Sequence, residues 1–199
     1  MSSIDYNYLY SLARSSIDHG LLHAAALYLN PKFIDPIYLT EESTYVSLSI
    51  NNKNIGCIGN ALNKEFFYNS ILKNAFKAAF DDDRFAPLNK NSFTKTQIQI
   101  HHLLSEGERK LRVNSLYELL PLINKNDSLQ LLYGNKKPLM LSFVQRNFKS
   151  LTDYILATMD KGSIPKTANV WSNIEIRLIP TFIAEKHKLS EIPPCQNYI

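Results

Sequence analysis

The chain has 199 residues and a formal net charge of +4, with 45% hydrophobic and 20% charged residues. These proportions are those of a globular protein and exclude a disordered or fibrous one. Its two cysteines exclude a disulfide framework and favour a reducing compartment. We find neither the roughly 18 unbroken apolar residues of a membrane span nor a secretion signal, so we expect a cytoplasmic protein.

The positive charge is concentrated in the second half of the chain, but only weakly. Residues 1–99 hold nine basic and nine acidic side chains, and residues 100–199 hold thirteen and nine. A nucleic-acid surface usually carries a denser basic stripe. We therefore expect no nucleic-acid partner and interpret the surplus as a solvated basic face; an anionic partner is the alternative.

Hydrophobic spacing predicts helices and hairpins in the first half of the chain. Apolar residues recur at helical intervals from Asp5 to about Leu29, in one helix or in two divided at Gly20. Alternation from Tyr45 to Ile50, followed by an asparagine-rich turn and a second short strand from Ile55 to Ile58, predicts a β-hairpin over residues 45–58. A wide apolar stripe predicts a second helix from Leu62 to Phe80.

The second half continues the mixture of strands and helices. The predicted elements are a strand over 94–104, a short helix over 115–123, a hairpin over 129–143, a helix over 150–161 and a strand over 174–179. Short turns between strands, with helices interspersed, predict an α+β fold with an antiparallel or mixed sheet flanked by helices. We expect one domain over 1–190, undivided or made of two closely packed lobes, and a loose tail over 191–199.

The histidines do not predict a metal site. His19 and His23 have helical i, i+4 spacing, but the glutamate of a zinc-peptidase helix is missing and Gly20 weakens the helix, so we interpret them as structural or surface residues. His101 and His102 are adjacent on a strand and point to opposite faces. The sequence also has no Cys-x-x-Cys, phosphate-binding glycine loop or Gly-x-Ser-x-Gly elbow, so no metal or cofactor is expected.

The turn Gly56-Cys57-Ile58-Gly59 is unusual in a chain with only six glycines. Glycine inside a strand often marks a bulge or a close approach of a ligand or backbone. Cys57 would be a nucleophile or metal ligand if a cation, or the helix predicted to start near Leu62, stabilised its thiolate. The alternative is a small buried hydrophobe.

A run of three aspartates closes the second predicted helix. Asp81, Asp82 and Asp83 lie at a helix C-terminus, where the macrodipole disfavours negative charge, so they need a partner. Arg84 is adjacent, which favours a structural Asp–Arg lock. The alternative is an anchor for a cation or a basic partner.

These two motifs together resemble the AMMECR domain family, whose prokaryotic members are often called protein A of the AmmeMemoRadiSam system. The family hallmark is Leu-Arg-Gly-Cys-Ile-Gly-Thr, followed by a helix and an Asp-x-Arg-Phe-x-Pro-Leu stretch. Here Gly56-Cys57-Ile58-Gly59 precedes a predicted helix ending in Asp82-Asp83-Arg84-Phe85-Ala86-Pro87-Leu88. The resemblance covers nearly the whole chain.

The resemblance implies two lobes with a cleft near the cysteine motif, no established biochemical activity, and a Memo-type protein and a radical-SAM enzyme as partners. The implied site residues are Gly56, Cys57, Gly59, Asp82, Arg84 and Phe85. Three positions depart from the family pattern: Ile55 replaces its arginine, Asn60 its threonine and Ser142 its proline.

We therefore favour a module that binds a ligand or a partner protein. The alternative is an enzyme, or enzyme component, that uses Cys57 in a cleft, with Arg84 and a histidine of 101–102 assisting.

Overall fold

The computed structural model describes residues 4–60 and 65–195, and it has the predicted α+β fold. In chain order the helices are α1 (Tyr6–His23), α2 (Phe67–Phe80), α3 (Lys90–Phe93), α4 (Leu116–Leu119) and α5 (Leu151–Lys161). The strands are β1 (Ser43–Ile50), β2 (Lys53–Gly59), β3 (Gln97–Leu103), β4 (Arg109–Leu111), β5 (Asp127–Leu132), β6 (Leu139–Met140), β7 (Glu175–Ile183) and β8 (His187–Lys188).

The chain divides into two compact units. The first comprises residues 1–102 and 183–199, and the second comprises residues 103–182. The cleft expected near the cysteine motif stays a prediction.

In the first unit, helices α1 and α2 pack together over one face of the sheet. Strands β2, β1 and β3 are neighbours in that order, and β8 pairs with β3. Alternate residues of β1, Val46 and Leu48 among them, are fully buried in one core with the apolar stripe of α2. The alternation predicted for this hairpin is confirmed.

Helix α1 continues through Gly20 and ends at His23, earlier than the predicted Leu29. Gly20 lets the Phe80 ring of α2 pack close to α1: a Cβ at position 20 would lie 2.3 Å from Cε2 of Phe80, so a larger residue would displace that ring. Asp5 caps the start by accepting the Asn7 N–H, and Ala24 takes a left-handed conformation after the last turn.

Helix α2 begins at Phe67, whereas the apolar stripe predicted a start at Leu62. The predicted start at 62–64 lies outside the described residues. Phe66, the N-cap, has a non-helical backbone conformation (φ −56°, ψ 139°). The Phe67 N–H donates to the Thr40 carbonyl, which fixes the start of the helix.

In the second unit, an antiparallel sheet in the order β4-β7-β5-β6 packs its apolar face against α5. The predicted hairpin of β5 and β6 is present, but β6 has only two residues because Ser142–Asn147 turns into a 3₁₀ helix. Helix α5 begins after Ser150, whose hydroxyl accepts the Asp153 N–H. The sequence analysis missed the short strands β4 and β8.

The segment 191–195, expected to be loose, packs into the core of the first unit. Ile192 and Cys195 are buried, and the Cys195 N–H donates to Oγ of Ser15 at 2.9 Å. Residues 196–199 lie outside the described residues. Within the ranges described, none of the helices is both long and apolar enough to cross a membrane.

Candidate functional site

Cys57 lies on the face of the first sheet that is turned away from α2. A bulge between Leu48 and Ser49 leaves Ile55 as the extra residue of β2, so Cys57 stands opposite Ser47. Its neighbour Gly56 points toward α2, and successive strand residues point to opposite faces. The bulge therefore decides which face carries the thiol, which is half-buried.

The two glycines of the motif are required by close packing. A Cβ on Gly56 would lie 1.9 Å from the carbonyl oxygen of Ala78, inside the last turns of α2. A Cβ on Gly59 would lie 2.2 Å from the ring of Tyr45. Both contacts are shorter than any side chain allows, so the glycines let β2 lie directly on its neighbours.

Asp82 and Arg84 bind the two backbone polar groups of Cys57, its N–H and its carbonyl. Oδ2 of Asp82 accepts the Cys57 N–H at 2.8 Å, and Nη2 of Arg84 donates to the Cys57 carbonyl at 2.9 Å. The two side chains also bind each other, with Nε to Oδ1 at 2.8 Å and Nη2 to Oδ2 at 2.7 Å. This bidentate pair is the structural lock suggested by the sequence.

The lock takes the place that a neighbouring strand would have. Among the residues that the structure describes, strand β2 is at the end of the strand order, so the backbone groups of Cys57 that point away from β1 lie at a sheet edge. The carboxylate supplies the missing acceptor and the guanidinium supplies the missing donor. We call this arrangement the Cys57 corner: Cys57, Asp82, Arg84 and Phe85.

The guanidinium of Arg84 stacks over the ring of Phe85. The ring centroid of Phe85 lies 5.3 Å from Cζ of Arg84, and the Phe85 N–H donates to the Asp82 carbonyl at 3.0 Å. The hydrogen bond from Arg84 holds the pKa of Asp82 below its usual value, and Asp82 in turn raises the pKa of Arg84. The pair is therefore fully ionised at neutral pH.

The end of α2 that lies near Cys57 is its C-terminus, which corrects the sequence prediction. Ala78 and Asp82 lie against Gly56 and Cys57, whereas the 14-residue helix α2 starts at Phe67, at its opposite end. A helix C-terminus carries partial negative charge and disfavours a thiolate.

The two adjacent histidines have separate environments in the first unit. Nε2 of His101 lies 2.9 Å from Oγ of Ser47, on the same face as Cys57. His102 lies on the other face, where Nδ1 is 2.9 Å from the Tyr6 hydroxyl and Nε2 is 3.0 Å from Oε2 of Glu42. His102 is thus a buried structural residue, whereas His101 borders the site.

The sequence analysis missed two residues that line this face, Ser47 and Tyr45. Tyr45 covers Gly59, and burial, with a contribution from Cys57, raises the pKa of its phenol to about 12. Pairing the two predicted strands residue by residue could have identified the neighbour of Cys57. Without the bulge, however, that pairing places Val46 opposite Cys57 and not Ser47. Across residues 4–60 and 65–195 there is no cluster of three or more His, Cys, Asp or Glu residues able to hold a metal.

Comparison of the sequence with protein-family models identifies the family of this chain. The model of the AMMECR1 family matches residues 10–184, nearly the whole chain. The chain belongs to the AMMECR1 family. The fold is also similar to the crystal structure of the uncharacterized protein PH0010 from Pyrococcus horikoshii, with a TM-score of 0.77 and 20% sequence identity over 89% of each chain. A search of curated proteins gave no match.

The three positions expected from the sequence to depart from the family pattern are Ile55, Asn60 and Ser142. Ile55 is the extra residue of the bulge and packs against the first core. The backbone N–H of Asn60 donates to the Thr44 carbonyl at 3.2 Å, a bond that does not depend on the side chain at this position. Ser142 is buried in the second unit, where its N–H donates to Oγ of Ser128.

Proposed function

We propose that this AMMECR1-family protein is a binding module for a partner protein or a small ligand, with its site at the Cys57 corner. The observation that carries the proposal is that Asp82 and Arg84 both bind the main chain of Cys57. They stiffen the strand edge and present a fixed surface, because each is bound both to the main chain of Cys57 and to the other.

The charges at the corner support binding over nucleophilic chemistry. A reactive cysteine needs a cation, a general base or a helix N-terminus close to its sulfur. Here the guanidinium of Arg84 interacts with the charge of Cys57 but is already ion-paired with Asp82, and the nearby helix end is a C-terminus. The apolar Ile55, where relatives carry arginine, supplies no second cation.

The corner selects a basic surface as its partner. Next to the corner, Asp81 and Asp83 are exposed on either side of the buried Asp82, so the segment 81–84 has three carboxylates, one guanidinium and a formal charge of −2. Arg84 keeps 57% of its side chain exposed and adds a planar donor. Complementary charge speeds association and suppresses wrong partners, so a basic patch on the partner is expected.

The partners we propose, from the family resemblance, are a Memo-type protein and a radical-SAM enzyme in the cytoplasm. The test is co-purification of the tagged chain with each candidate from the same genome. We expect capture that Asp81→Lys with Asp83→Lys weakens at least about tenfold. Glu106→Lys, an exposed charge reversal in the second unit, is the matched control.

Native mass spectrometry of the freshly purified protein covers the small-ligand form of the proposal. A co-purifying ligand that is lost in Arg84→Ala supports it. Absence of both a ligand and any complex with either candidate partner would contradict the proposed function.

A second candidate function has one observation in its favour. Cys57, Ser47 and His101 follow one another across β2, β1 and β3 on one face, and Oγ of Ser47 lies 2.9 Å from Nε2 of His101. The backbone groups of Cys57 point away from Ser47, so the two Cβ atoms are about 4.5–5.5 Å apart. A thiol, a hydroxyl and an imidazole in a row would support an enzyme that uses Cys57 as a nucleophile.

A further inference from the structure

We propose that His19 and His23 form a surface site for a divalent transition-metal ion of the Zn²⁺, Ni²⁺ or Cu²⁺ class. The pair lies in the last turns of α1 and uses none of the residues of the Cys57 corner. The proposal is therefore independent of the proposed function.

The helix brings the two imidazoles together. Sequence reasoning gave the pair no ligand role partly because Gly20 weakens a helix, but α1 continues unbroken from Tyr6 to His23. Residues four apart lie on the same face, and the two ring centroids are 4.5 Å apart. Two imidazoles at this separation are close enough to bind one ion together, at about 2.0–2.1 Å from each nitrogen.

A backbone carbonyl fixes the ring of His19 in the form that a metal needs. Nδ1 of His19 lies 2.9 Å from the Ala25 oxygen. A carbonyl oxygen only accepts, so Nδ1 carries the proton and the neutral ring keeps its lone pair on Nε2. Metal-bound histidines commonly donate their other ring N–H to a carbonyl in this way.

The electrostatics of this helix end favour a cation. The backbone carbonyls of the last turn give the C-terminus of α1 partial negative charge. The nearest carboxylate in sequence, Asp18, is bound to Nε of Arg14 at 2.9 Å. The site therefore has two neutral nitrogen ligands and completes its coordination with water, a set suited to Zn²⁺, Ni²⁺ and Cu²⁺ but not to Mg²⁺.

The test is calorimetric titration of the metal-free full chain with ZnCl₂, with MgCl₂ as the hard-ion control. We expect one Zn²⁺ per chain and no Mg²⁺ binding, with affinity at least tenfold weaker in His19→Gln and in His23→Gln. His187→Gln is the matched control, because its ring packs on Tyr10 elsewhere in the first unit and its loss should leave Zn²⁺ binding unchanged.

A second readout keeps the result independent of folding. In NMR spectra of the unaltered protein, the imidazole signals of His19 and His23 should shift together at one equivalent of Zn²⁺, while those of the buried His101 and His102 stay in place. Zn²⁺ binding that persists unchanged in the His19→Gln/His23→Gln double variant, or no Zn²⁺ binding in the unaltered chain, would overturn the proposal.

Discussion

Asp82 accepts the main-chain N–H of Cys57 at 2.8 Å, which joins two residues 25 positions apart. This bond links the Gly-Cys-Ile-Gly segment of strand β2 to the Asp-x-Arg-Phe stretch that follows α2. The first supplies an edge strand whose backbone groups need partners, and the second supplies a carboxylate and a guanidinium that meet that need. The family signature is, in this protein, one structural unit.

Loss of the Asp82 carboxylate should expose the backbone amide of Cys57 to hydrogen exchange. Asp82→Ala should speed its hydrogen exchange about tenfold, because a hydrogen bond of about 1–1.5 kcal/mol is lost at a strand edge. The amide of Ile58, which belongs to the next register pair with Val46, should keep its protection. Residue-resolved hydrogen exchange by NMR measures both in one experiment, and equal acceleration at the two amides would argue against the lock.

The lock also gives stability a dependence on pH. The pKa of Asp82 is lowered in the folded chain, so its contribution is present above the unfolded value of about 3.9 and is lost as pH falls through the folded value. Asp82→Asn should cost about 1–3 kcal/mol of unfolding free energy at pH 7, and the difference from the unaltered protein should shrink toward pH 3.

The matched control for this titration is Asp83→Asn. Asp83 is exposed, so its variant should stay within about 0.5 kcal/mol and keep the full pH slope. Urea unfolding at several pH values between 3 and 7 makes the comparison. A constant deficit of the Asp82→Asn variant at every pH would show that the charge of Asp82 does not matter.

Gly56 in strand β2 should tolerate substitution poorly. In Gly56→Ala the new methyl group would meet the Ala78 carbonyl oxygen of α2, and backbone cannot move aside as a side chain can. We expect a loss on the order of 3 kcal/mol. Gly134→Ala is the comparison, since a Cβ there meets nothing within 4 Å and only its positive φ of 59° costs about 1–2 kcal/mol. Urea denaturation would contradict this if the two losses were equal.

His102 should behave as a structural residue. His102→Ala removes a buried ring and its bonds to Tyr6 and Glu42, so we expect a loss of about 2–4 kcal/mol. Glu42→Gln keeps an acceptor for the ring and should cost about 1 kcal/mol. Thermal unfolding measures both, and a His102→Ala variant as stable as the unaltered chain would remove the structural role.

Most of the fold could be predicted from local patterns. The alternation in residues 45–50 and the asparagine-rich turn after it predicted the hairpin, and the cap at Ser150 with the stop at Gly162 predicted α5, because these signals depend only on neighbouring residues. The end of α1 was harder to place, because Leu27 and Leu29 continue an apolar pattern while packing in an extended segment. Short strands such as β4 depend on a distant partner, β7, and leave no local signal.

The residues of the Cys57 corner could be predicted from the sequence, but their arrangement in space could not. Asp82 and Arg84 were adjacent to the predicted helix end, so a lock between them was expected; its binding to Cys57 was not. The side of the sheet that carries Cys57 depends on the bulge at Ile55, and one extra residue in a strand reverses the face of everything beyond it. The sequence also placed the wrong end of α2 near the thiol. We expected the N-terminus, but α2 starts at Phe67 and it is the C-terminal end that lies beside β2.

The central claim is that the corner fixes the backbone of Cys57 and does not activate its thiol. The pH dependence of Cys57 alkylation by iodoacetamide tests it most directly, with peptide-resolved mass spectrometry separating Cys57 from the buried Cys195. The account predicts a midpoint at or above the value of about 8.5 of an ordinary thiol, unchanged in Ser47→Ala. A midpoint below about 7 that rises in Ser47→Ala and His101→Gln would contradict it and would establish the row from Cys57 to His101 as a reactive site.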